Sequence, residues 1–251
     1  MDGIKHHFID SHSLHDEISA ADFETQALAI LAIEFQTNDI VVLTGGSGMF
    51  VDALCNGLDK IPTDKTIRQQ LNSEFKKDGL TTLLDELEKT DPAYYEQVDR
   101  HNHMRILRAL EVIRLTGNSY SELRKAKSAE RPFQIHRYAI VHDREVLYKR
   151  INVRVDLMIN DGLLDEVNSV KEFRHLTSMN TVGYKELLAH LDGECSLEEA
   201  ISTIKQNSRR YAKRQLTWIR RHPETQWVNW ISLDQVKNEI ITHFSKSLKL
   251  E

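Results

Sequence analysis

Three glycines and a serine form the sequence Gly45-Gly46-Ser47-Gly48, directly after the apolar run Ile40–Thr44. Glycine lets the backbone approach a ligand closely, and a helix that begins after such a loop offers free N–H groups to an anion. The loop is not a Walker A loop, because that pattern needs a Gly-Lys-Ser/Thr sequence and none occurs in the 251 residues. A tight strand-to-helix turn and a ligand cradle are both compatible with this loop.

Two arginines, Arg150 and Arg154, lie four residues apart on a second segment. The apolar spacing of this segment predicts a helix with a buried stripe that consists of Leu147, Ile151, Val155 and Met158. Like charges at this spacing repel each other by about 0.2 to 0.5 kcal/mol, so an anion is expected beside them. An internal carboxylate, Asp156 or Asp161, and a bound phosphate or diphosphate are equally compatible with the pattern.

The stretch from residue 205 to residue 221 is the most one-sided in charge, because it contains no acidic residue. Its basic residues are Lys205, Arg209, Arg210, Lys213, Arg214, Arg220 and Arg221. Gln206, Gln215 and Trp218 are interleaved with them as hydrogen-bonding and stacking groups. A solvated helix face normally mixes both signs of charge, so this pattern favours RNA as the partner over a bare solvated face.

Composition sets limits on these interpretations. A net charge of -5 excludes a globally basic nucleic-acid binder, so any such partner must meet local patches. The two cysteines, Cys55 and Cys195, lack zinc-site spacing, and the histidines lack matching ligands, so no metal site is expected. The sequence contains neither an apolar run near 18 residues nor a secretory start, which predicts a cytoplasmic protein without a membrane partner.

The elements that position these groups alternate at first between helix and strand. Ser19 is expected to cap a helix that reaches about Phe35, and Ile40–Thr44 is expected to form a strand buried on both faces of a parallel sheet. A helix should then begin near Met49. This strand, loop and helix order is typical of open α/β folds, whose ligands bind at the carboxyl ends of the strands.

The middle of the chain is predicted to be helical, and a strand then returns. The expected helices of the middle region are Thr66–Lys77, Leu80–Lys89, Pro92–Val98, His103–Thr116 and Ser119–Lys127. A second strand is expected at Tyr138–Val141, followed by a long helix from Arg144 to about Phe173 that Gly162 interrupts. Helices from Tyr184 to Arg221 and a short strand at Trp227–Ile231 complete the prediction.

Seven separate stretches, in the same order, resemble the tRNA dimethylallyltransferases, also called tRNA isopentenyltransferases. They are His6–Asp10, Ser19–Phe23, Val42–Phe50, Arg105–Val112, Arg150–Asp156, Asn180–Lys185 and Lys213–Trp218. The similarity extends from about Lys5 to Trp230. It implies an α/β fold with a P-loop-kinase-like parallel sheet core, an all-helical insertion and a helical C-terminal region. The expected division is residues 1–58, the first part of the core; 59–133, the tRNA-facing insertion; and 134–251, the return strand and C-terminal helices.

The family's reaction moves a dimethylallyl group from dimethylallyl diphosphate to N6 of an adenosine beside the tRNA anticodon. By this resemblance Ser47, where the family usually has threonine, and Arg154 are catalytic candidates, and Arg150 and Arg154 bind the diphosphate. Stabilising the leaving diphosphate is where this chemistry needs most help, since negative charge grows on its oxygen. Mg²⁺ is the cofactor that the resemblance implies, and a monomer is expected.

The resemblance also implies contacts with the tRNA anticodon stem-loop. The residues expected to make them are Arg68, Met104, Arg105, Arg108, Asn180, Gly183, Tyr184, Lys185, Lys213, Arg214, Gln215, Trp218 and Arg220. A target adenine must leave the anticodon-loop stack to react, so stacking and phosphate contacts on two regions of the protein make physical sense.

In the family, a GxxxxGK[ST] loop and an aspartate that accepts the N6 proton precede these motifs, and this sequence begins after both. The first strand, the phosphate cradle, the hydroxyl that binds Mg²⁺ and the base are therefore expected to be missing, and the chain alone is expected to be inactive or nearly so. Two other functions stay open at this point: a non-catalytic tRNA-binding fragment, and a prenyltransferase that acts on free adenine nucleotides. The length of the basic stretch disfavours the latter.

Overall fold

The computed structural model describes residues 3–59, 61–125 and 129–248 of the chain. Contacts separate two compact units: one extends up to Val51 and resumes at Phe133, and the other comprises Asp52–Pro132. The three-part division expected from the sequence stays a prediction beside these two units. No helix in the three described ranges combines the length and the apolar character needed to cross a membrane.

Helices dominate the chain. In chain order the elements are α1 (Ala20–Glu34), α2 (Gly48–Asn56), α3 (Lys65–Asp78), α4 (Thr81–Thr90), α5 (Pro92–Tyr95), α6 (His103–Thr116), α7 (Tyr120–Leu123), β1 (Tyr138–Val141), α8 (Arg144–Asn160), α9 (Leu163–Ser169), α10 (Tyr184–Leu191), α11 (Leu197–Ile219), β2 (Gln226–Asn229) and α12 (Leu233–Leu248). Two short 3-10 helices, Lys171–Phe173 and Thr177–Met179, lie between α9 and α10.

The unit Asp52–Pro132 is helical, as the sequence predicts. Its core packs α3, α4 and α6 together through leucine and isoleucine side chains that are at most 2% exposed: Leu71, Leu83, Leu87, Ile106, Leu107 and Leu110. Two helices are shorter than expected, since α5 ends at Tyr95 and α7 ends at Leu123. Lys127, the expected end of the last helix, falls outside the described residues.

The sheet consists of one parallel pair, β1 and β2, in which Tyr138 pairs with Gln226 and Val141 with Asn229. Both strands were expected, β2 with slightly different bounds. The strand predicted at Ile40–Thr44 is wrong: this segment has no strand structure, and Val42 is 80% exposed. A strand requires a hydrogen-bonded neighbour, and in the described parts of the chain β1 and β2 pair only with each other. The fold is therefore helix-rich with a small parallel sheet.

Gly162 divides the long helix that the sequence predicts. It adopts φ 99°, a left-handed conformation that is strained for other residues, and it separates α8 from α9. The two helices then pack with α10 and α11 around a second core. This core contains Val155, Leu163, Val167, Met179, Leu187, Leu188, Ala200 and Ile204. Of the predicted stripe on α8, only Val155 is fully buried, and Met158 packs beside it.

Candidate functional site

The glycine loop, residues 45–48, lies against α11. The side-chain amide of Gln215 donates a hydrogen bond to the carbonyl oxygen of Gly46 at 2.9 Å, and the Tyr211 hydroxyl donates to the same oxygen at 3.3 Å. Ser47 is partly buried at the start of α2, and its carbonyl accepts from the backbone N–H of Val51 at 3.1 Å. Two groups that the sequence singled out, the loop and the helix of the basic stretch, are thus in direct contact.

Arg150 and Arg154 line a depression of about 280 Å³ on α8, together with Leu147, Ile151 and His142. Leu147 and Ile151, the N-terminal half of the predicted stripe, are only partly buried because they line this depression. Both arginines are exposed, and no carboxylate in residues 3–59, 61–125 or 129–248 pairs with either of them. The depression therefore carries positive charge that is available to an anionic ligand.

One of the two internal carboxylates that the sequence offers as a partner of this arginine pair is engaged elsewhere. Asp156 forms an ion pair with Lys205 of α11 at 2.5 Å. Arg209, one turn further along α11, donates to the side-chain oxygen of Asn152 at 2.6 Å. Two of the seven basic residues of the stretch therefore serve to attach α11 to α8.

Arg150 is held by two residues that follow the strands. Its guanidinium lies 5.3 Å from the ring centre of Trp230 and 3.3 Å from the Nε2 atom of His142. The backbone N–H of Trp230 extends the parallel pairing by donating to Val141 at 2.7 Å, so His142 and Trp230 stand side by side at the carboxyl ends of β1 and β2. This is the edge at which open α/β sheets bind ligands.

The electrostatics around His142 follow from this arrangement. Desolvation by burial is the main cause that lowers the pKa of His142, and the positive charge of Arg150 lowers the pKa further. A neutral imidazole is thus favoured beside the arginine, where it can accept a hydrogen bond instead of adding a like charge.

The other five basic residues of the stretch are exposed, three of them on α11 and two directly after its last residue. Within the described part of the chain, no carboxylate pairs with Arg210, Lys213, Arg214, Arg220 or Arg221. Two of these lie on aromatic rings, Arg214 at 5.7 Å from the centre of Tyr211 and Arg221 at 5.3 Å from the centre of Trp218. We call these five residues the basic face, which combines uncompensated positive charge with exposed aromatic surface.

Residues 180–185 form a well-connected turn before α10. Gly183 is buried with φ 105°, and its N–H donates to the Glu186 carboxylate at 2.8 Å. The Tyr184 hydroxyl donates to Glu166, and burial, followed by that carboxylate, raises the pKa of Tyr184 to about 12. Asn180 and Lys185 stay exposed. Of the four residues predicted to contact tRNA here, only these two have exposed side chains, and the Lys185 ammonium lies 3.8 Å from the Glu186 carboxylate.

In the unit Asp52–Pro132, Arg68 and Arg108 surround a buried carboxylate. Glu111 is 3% exposed, lies 3.5 Å from the Arg68 Nε and 3.1 Å from an Arg108 nitrogen, and accepts from the backbone N–H of Asp64 at 3.0 Å. Arg108 also donates to two backbone carbonyls of the preceding loop. Both arginines therefore have a structural role, in addition to the tRNA contact that remains a prediction.

Met104 and Arg105 lie at the exposed start of α6, and Met104 is 55% exposed. Asn102 caps this helix by accepting from the Arg105 N–H at 3.3 Å. These two side chains are the parts of the predicted tRNA-contacting segment that are accessible within this unit.

Mg²⁺ prefers octahedral coordination by oxygen ligands. No group of three His, Cys, Asp or Glu side chains in the described ranges is placed to hold a metal ion, and the depression around Arg150 is lined by cationic, apolar and imidazole groups. These residues do not make a Mg²⁺ site.

Sequence reasoning missed three residues of these sites: His142, Trp230 and Glu111. For His142 a signal existed, since it directly follows the predicted strand Tyr138–Val141 at the edge where ligands bind, whereas Trp230 was placed inside the predicted strand Trp227–Ile231 and follows only the observed β2. Glu111 gave no signal, because a single glutamate in a helix is usually exposed. The hydrogen bonds and ion pairs of the described residues do not join Ser47 to Arg154.

Comparison with known proteins gives a consistent result. The family model for IPP transferase matches residues 1–222. The tRNA dimethylallyltransferase 1 of Phocaeicola vulgatus is 48% identical over 225 residues, which cover 89% of this chain and 75% of the relative. The tRNA dimethylallyltransferase 2 of Parabacteroides distasonis is 43% identical over 249 residues, covering 99% of this chain and 82% of the relative.

Solved structures agree with these sequence matches. The full-length tRNA isopentenylpyrophosphate transferase from Bacillus halodurans superposes with a TM-score of 0.69 at 35% identity, covering 99% of this chain and 80% of that protein. A eukaryotic dimethylallyltransferase acting on tRNA, at 22% identity, shares the fold with a TM-score of 0.72, over 93% of this chain and 62% of that protein. The chain belongs to the tRNA dimethylallyltransferase family.

Proposed function

We propose that this protein functions in tRNA modification, by the transfer of a dimethylallyl group from dimethylallyl diphosphate to N6 of an adenosine beside the anticodon. The residues described above supply the acceptor side of this reaction and part of its diphosphate clamp. The observation that carries the proposal is that α11, which carries three residues of the basic face, also contacts the glycine loop that contains Ser47, through Tyr211 and Gln215. Family membership narrows the reaction to prenyl transfer.

Each group has a role that its chemistry supports. The basic face binds phosphates of the anticodon stem-loop, and Arg214 and Arg221 on their rings add stacking surface. Arg150 and Arg154 stabilise the negative charge that develops on the departing diphosphate, because that depression holds no internal carboxylate. The Ser47 hydroxyl, at the start of α2, lies where an adenosine and a diphosphate would meet by resemblance to the family.

Finer features complete the proposal. The parallel pair β1–β2, with the glycine loop, is assigned to a P-loop-kinase-like sheet. The insertion residues Met104 and Arg105 and the turn residues Asn180 and Lys185 are assigned to tRNA contacts, as their exposed side chains allow. Dimethylallyl diphosphate as the donor, Mg²⁺ as an ion that enters with the diphosphate, a cytoplasmic location and a monomeric state all stay predictions.

Competition between RNA and a mononucleotide tests the acceptor. A fluorescently labelled, unmodified anticodon stem-loop with adenosine beside the anticodon is titrated with the protein, and AMP is then added in large excess. We expect the stem-loop to bind and AMP to leave it bound, because five uncompensated cations match several phosphates. Displacement by AMP would instead indicate an adenine-nucleotide prenyltransferase, and absence of RNA binding would refute the acceptor assignment.

Product analysis separates a transferase from a binding module. Unmodified tRNA is incubated with the protein and dimethylallyl diphosphate, digested to nucleosides and analysed by mass spectrometry for N6-dimethylallyladenosine. Product formation assigns the whole reaction to these 251 residues. Bound but unmodified tRNA would assign only the acceptor side to them and would contradict the proposed transfer.

A further inference from the structure

We propose that Tyr211, Gln215 and Trp218 are positioning residues that hold the glycine loop, and with it Ser47, on α11. They lie at spacings of four and three residues, so they share one face of the helix. The inference gives Gln215 and Trp218 a role other than direct tRNA contact. It rests on the proposed function only for the catalytic role of Ser47, because the contacts themselves are independent of any substrate.

The first contact fixes the residue before Ser47. Gly46 offers one carbonyl oxygen, and both Gln215 and Tyr211 donate to it, at 2.9 and 3.3 Å. The amide of Gln215 comes so close that a Cβ atom on Gly46 would lie 2.1 Å from its nitrogen. A Cβ atom at position 46 would displace the Gln215 amide, so the present geometry of this hydrogen bond depends on glycine there.

The second contact fixes the residue after Ser47. A Cβ atom on Gly48 would lie 2.5 Å from three ring atoms of Trp218, which is closer than carbon atoms can approach. Gly48 has no positive φ, and it is the first residue of α2, so the backbone alone does not require glycine there. The close approach of the indole explains the glycine at position 48. Both neighbours of Ser47 are thus glycines that lie close to side chains of α11.

Tyr211 and Trp218 also contact two cations of the basic face. Arg214 lies on Tyr211, and Arg221, two residues past the end of α11, lies on Trp218. RNA phosphates bound to these arginines would therefore sit next to the residues that position Ser47. Tyr211 and Trp218 thus each contact both the glycine loop and one cation of the basic face.

A double-mutant cycle tests the contact between Gly48 and Trp218. In the otherwise unchanged protein, Gly48→Ala should lower the melting temperature, because its Cβ meets the indole. In a Trp218→Ala background, Gly48→Ala should no longer lower the melting temperature. It should raise the melting temperature slightly, because alanine has a higher helix propensity than glycine. Equal shifts in the two backgrounds would show that the ring does not constrain position 48 and would overturn the proposal.

Hydrogen exchange tests the contact between Gln215 and the loop. Gln215→Ala should accelerate amide exchange in the peptide that covers residues 44–52 by about 2- to 10-fold, the range for loss of one net hydrogen bond. The control is Gln206→Ala, the same chemical change at an exposed site of α11, which should leave that peptide unchanged. Unchanged exchange in Gln215→Ala would overturn the proposal.

The same variants separate this inference from the proposed function. Arg214→Ala should weaken binding of the anticodon stem-loop and leave exchange of the loop peptide near its original rate. If no variant and not even the unchanged protein binds RNA, the proposed function fails, while the exchange result for Gln215→Ala still decides whether α11 positions the loop.

Discussion

Replacement of Arg214 by alanine should change the salt dependence of RNA binding by a definite amount. Arg214 is exposed, lies on Tyr211, and belongs to the five cations of the basic face that no described carboxylate neutralises. Each phosphate contact contributes about 0.7 to 0.9 to the slope of log K against log salt. Five contacts set an upper limit of about 3.5 to 4.5 on the magnitude of the slope for this face.

Loss of one such contact should therefore reduce the slope by about 0.7 to 0.9 and weaken binding at every salt concentration. The assay is a fluorescence titration of an unmodified anticodon stem-loop at several potassium chloride concentrations, with unchanged protein and with Arg214→Ala.

Arg174→Ala serves as the charge-matched control. Arg174 already pairs with Asp192 at 2.8 Å and lies outside α11, so its removal should leave the slope nearly unchanged. If Arg174→Ala and Arg214→Ala reduce the slope equally, binding follows net charge alone, and the assignment of the basic face is refuted.

Three further predictions concern stability. Glu111→Ala should lower the free energy of unfolding by about 3 kcal/mol in urea, the lower end for removing one partner of a buried ion pair, since Arg68 and Arg108 keep 28% and 24% exposure. The exposed Glu88→Ala should change it by less than about 0.5 kcal/mol, and equal losses would contradict the role of Glu111. Ser196→Ala should cost about 1 kcal/mol in the same assay, because the Ser196 hydroxyl caps α11; a neutral result would contradict this. The lowered pKa of His142 means that the unfolded chain binds this proton more tightly, so stability should fall as the pH drops below about 6.5. His142→Gln should weaken this dependence between pH 7.5 and pH 5.5, and an unchanged dependence would contradict it.

Local features of the fold were predictable because their causes lie within a few residues. Ser19 accepts a hydrogen bond from the N–H of Asp22 in a complete capping box, so four consecutive residues determine where α1 begins. Gly162 adopts the positive φ that its position between two helical patterns indicates. The strand Tyr138–Val141 follows from a short apolar run with residues of high strand propensity.

The features that sequence reasoning missed depend on distant partners or on a pattern that was not followed. Ile40–Thr44 has the composition of a buried strand, but composition fixes neither a neighbour nor burial, and Val42 stays 80% exposed. The helix α12 was not predicted, although Val236, Ile240 and Phe244 recur every four residues and could have revealed it.

The candidate site shows the same division. Arg150 and Arg154 were identified from their spacing, and the depression that contains them agrees with an anion-binding role. The partners of Arg150 were not identified, because Trp230 is 80 residues away in the chain and meets it only through the pairing of β1 with β2. The RNA contact of Gln215 stays a prediction, and no pattern in the sequence indicated that its side-chain amide donates to the carbonyl of Gly46.

Crosslinking tests the central claim, that the basic face of α11 and the glycine loop form the acceptor side for tRNA, most directly. An unmodified anticodon stem-loop with 4-thiouridine next to the target adenosine is irradiated with the protein, and the crosslinked peptides are identified by mass spectrometry. We predict crosslinks within residues 205–221 or 44–50, because α11 contacts the glycine loop through Tyr211 and Gln215. Crosslinks confined to other regions, such as α12, would contradict the account.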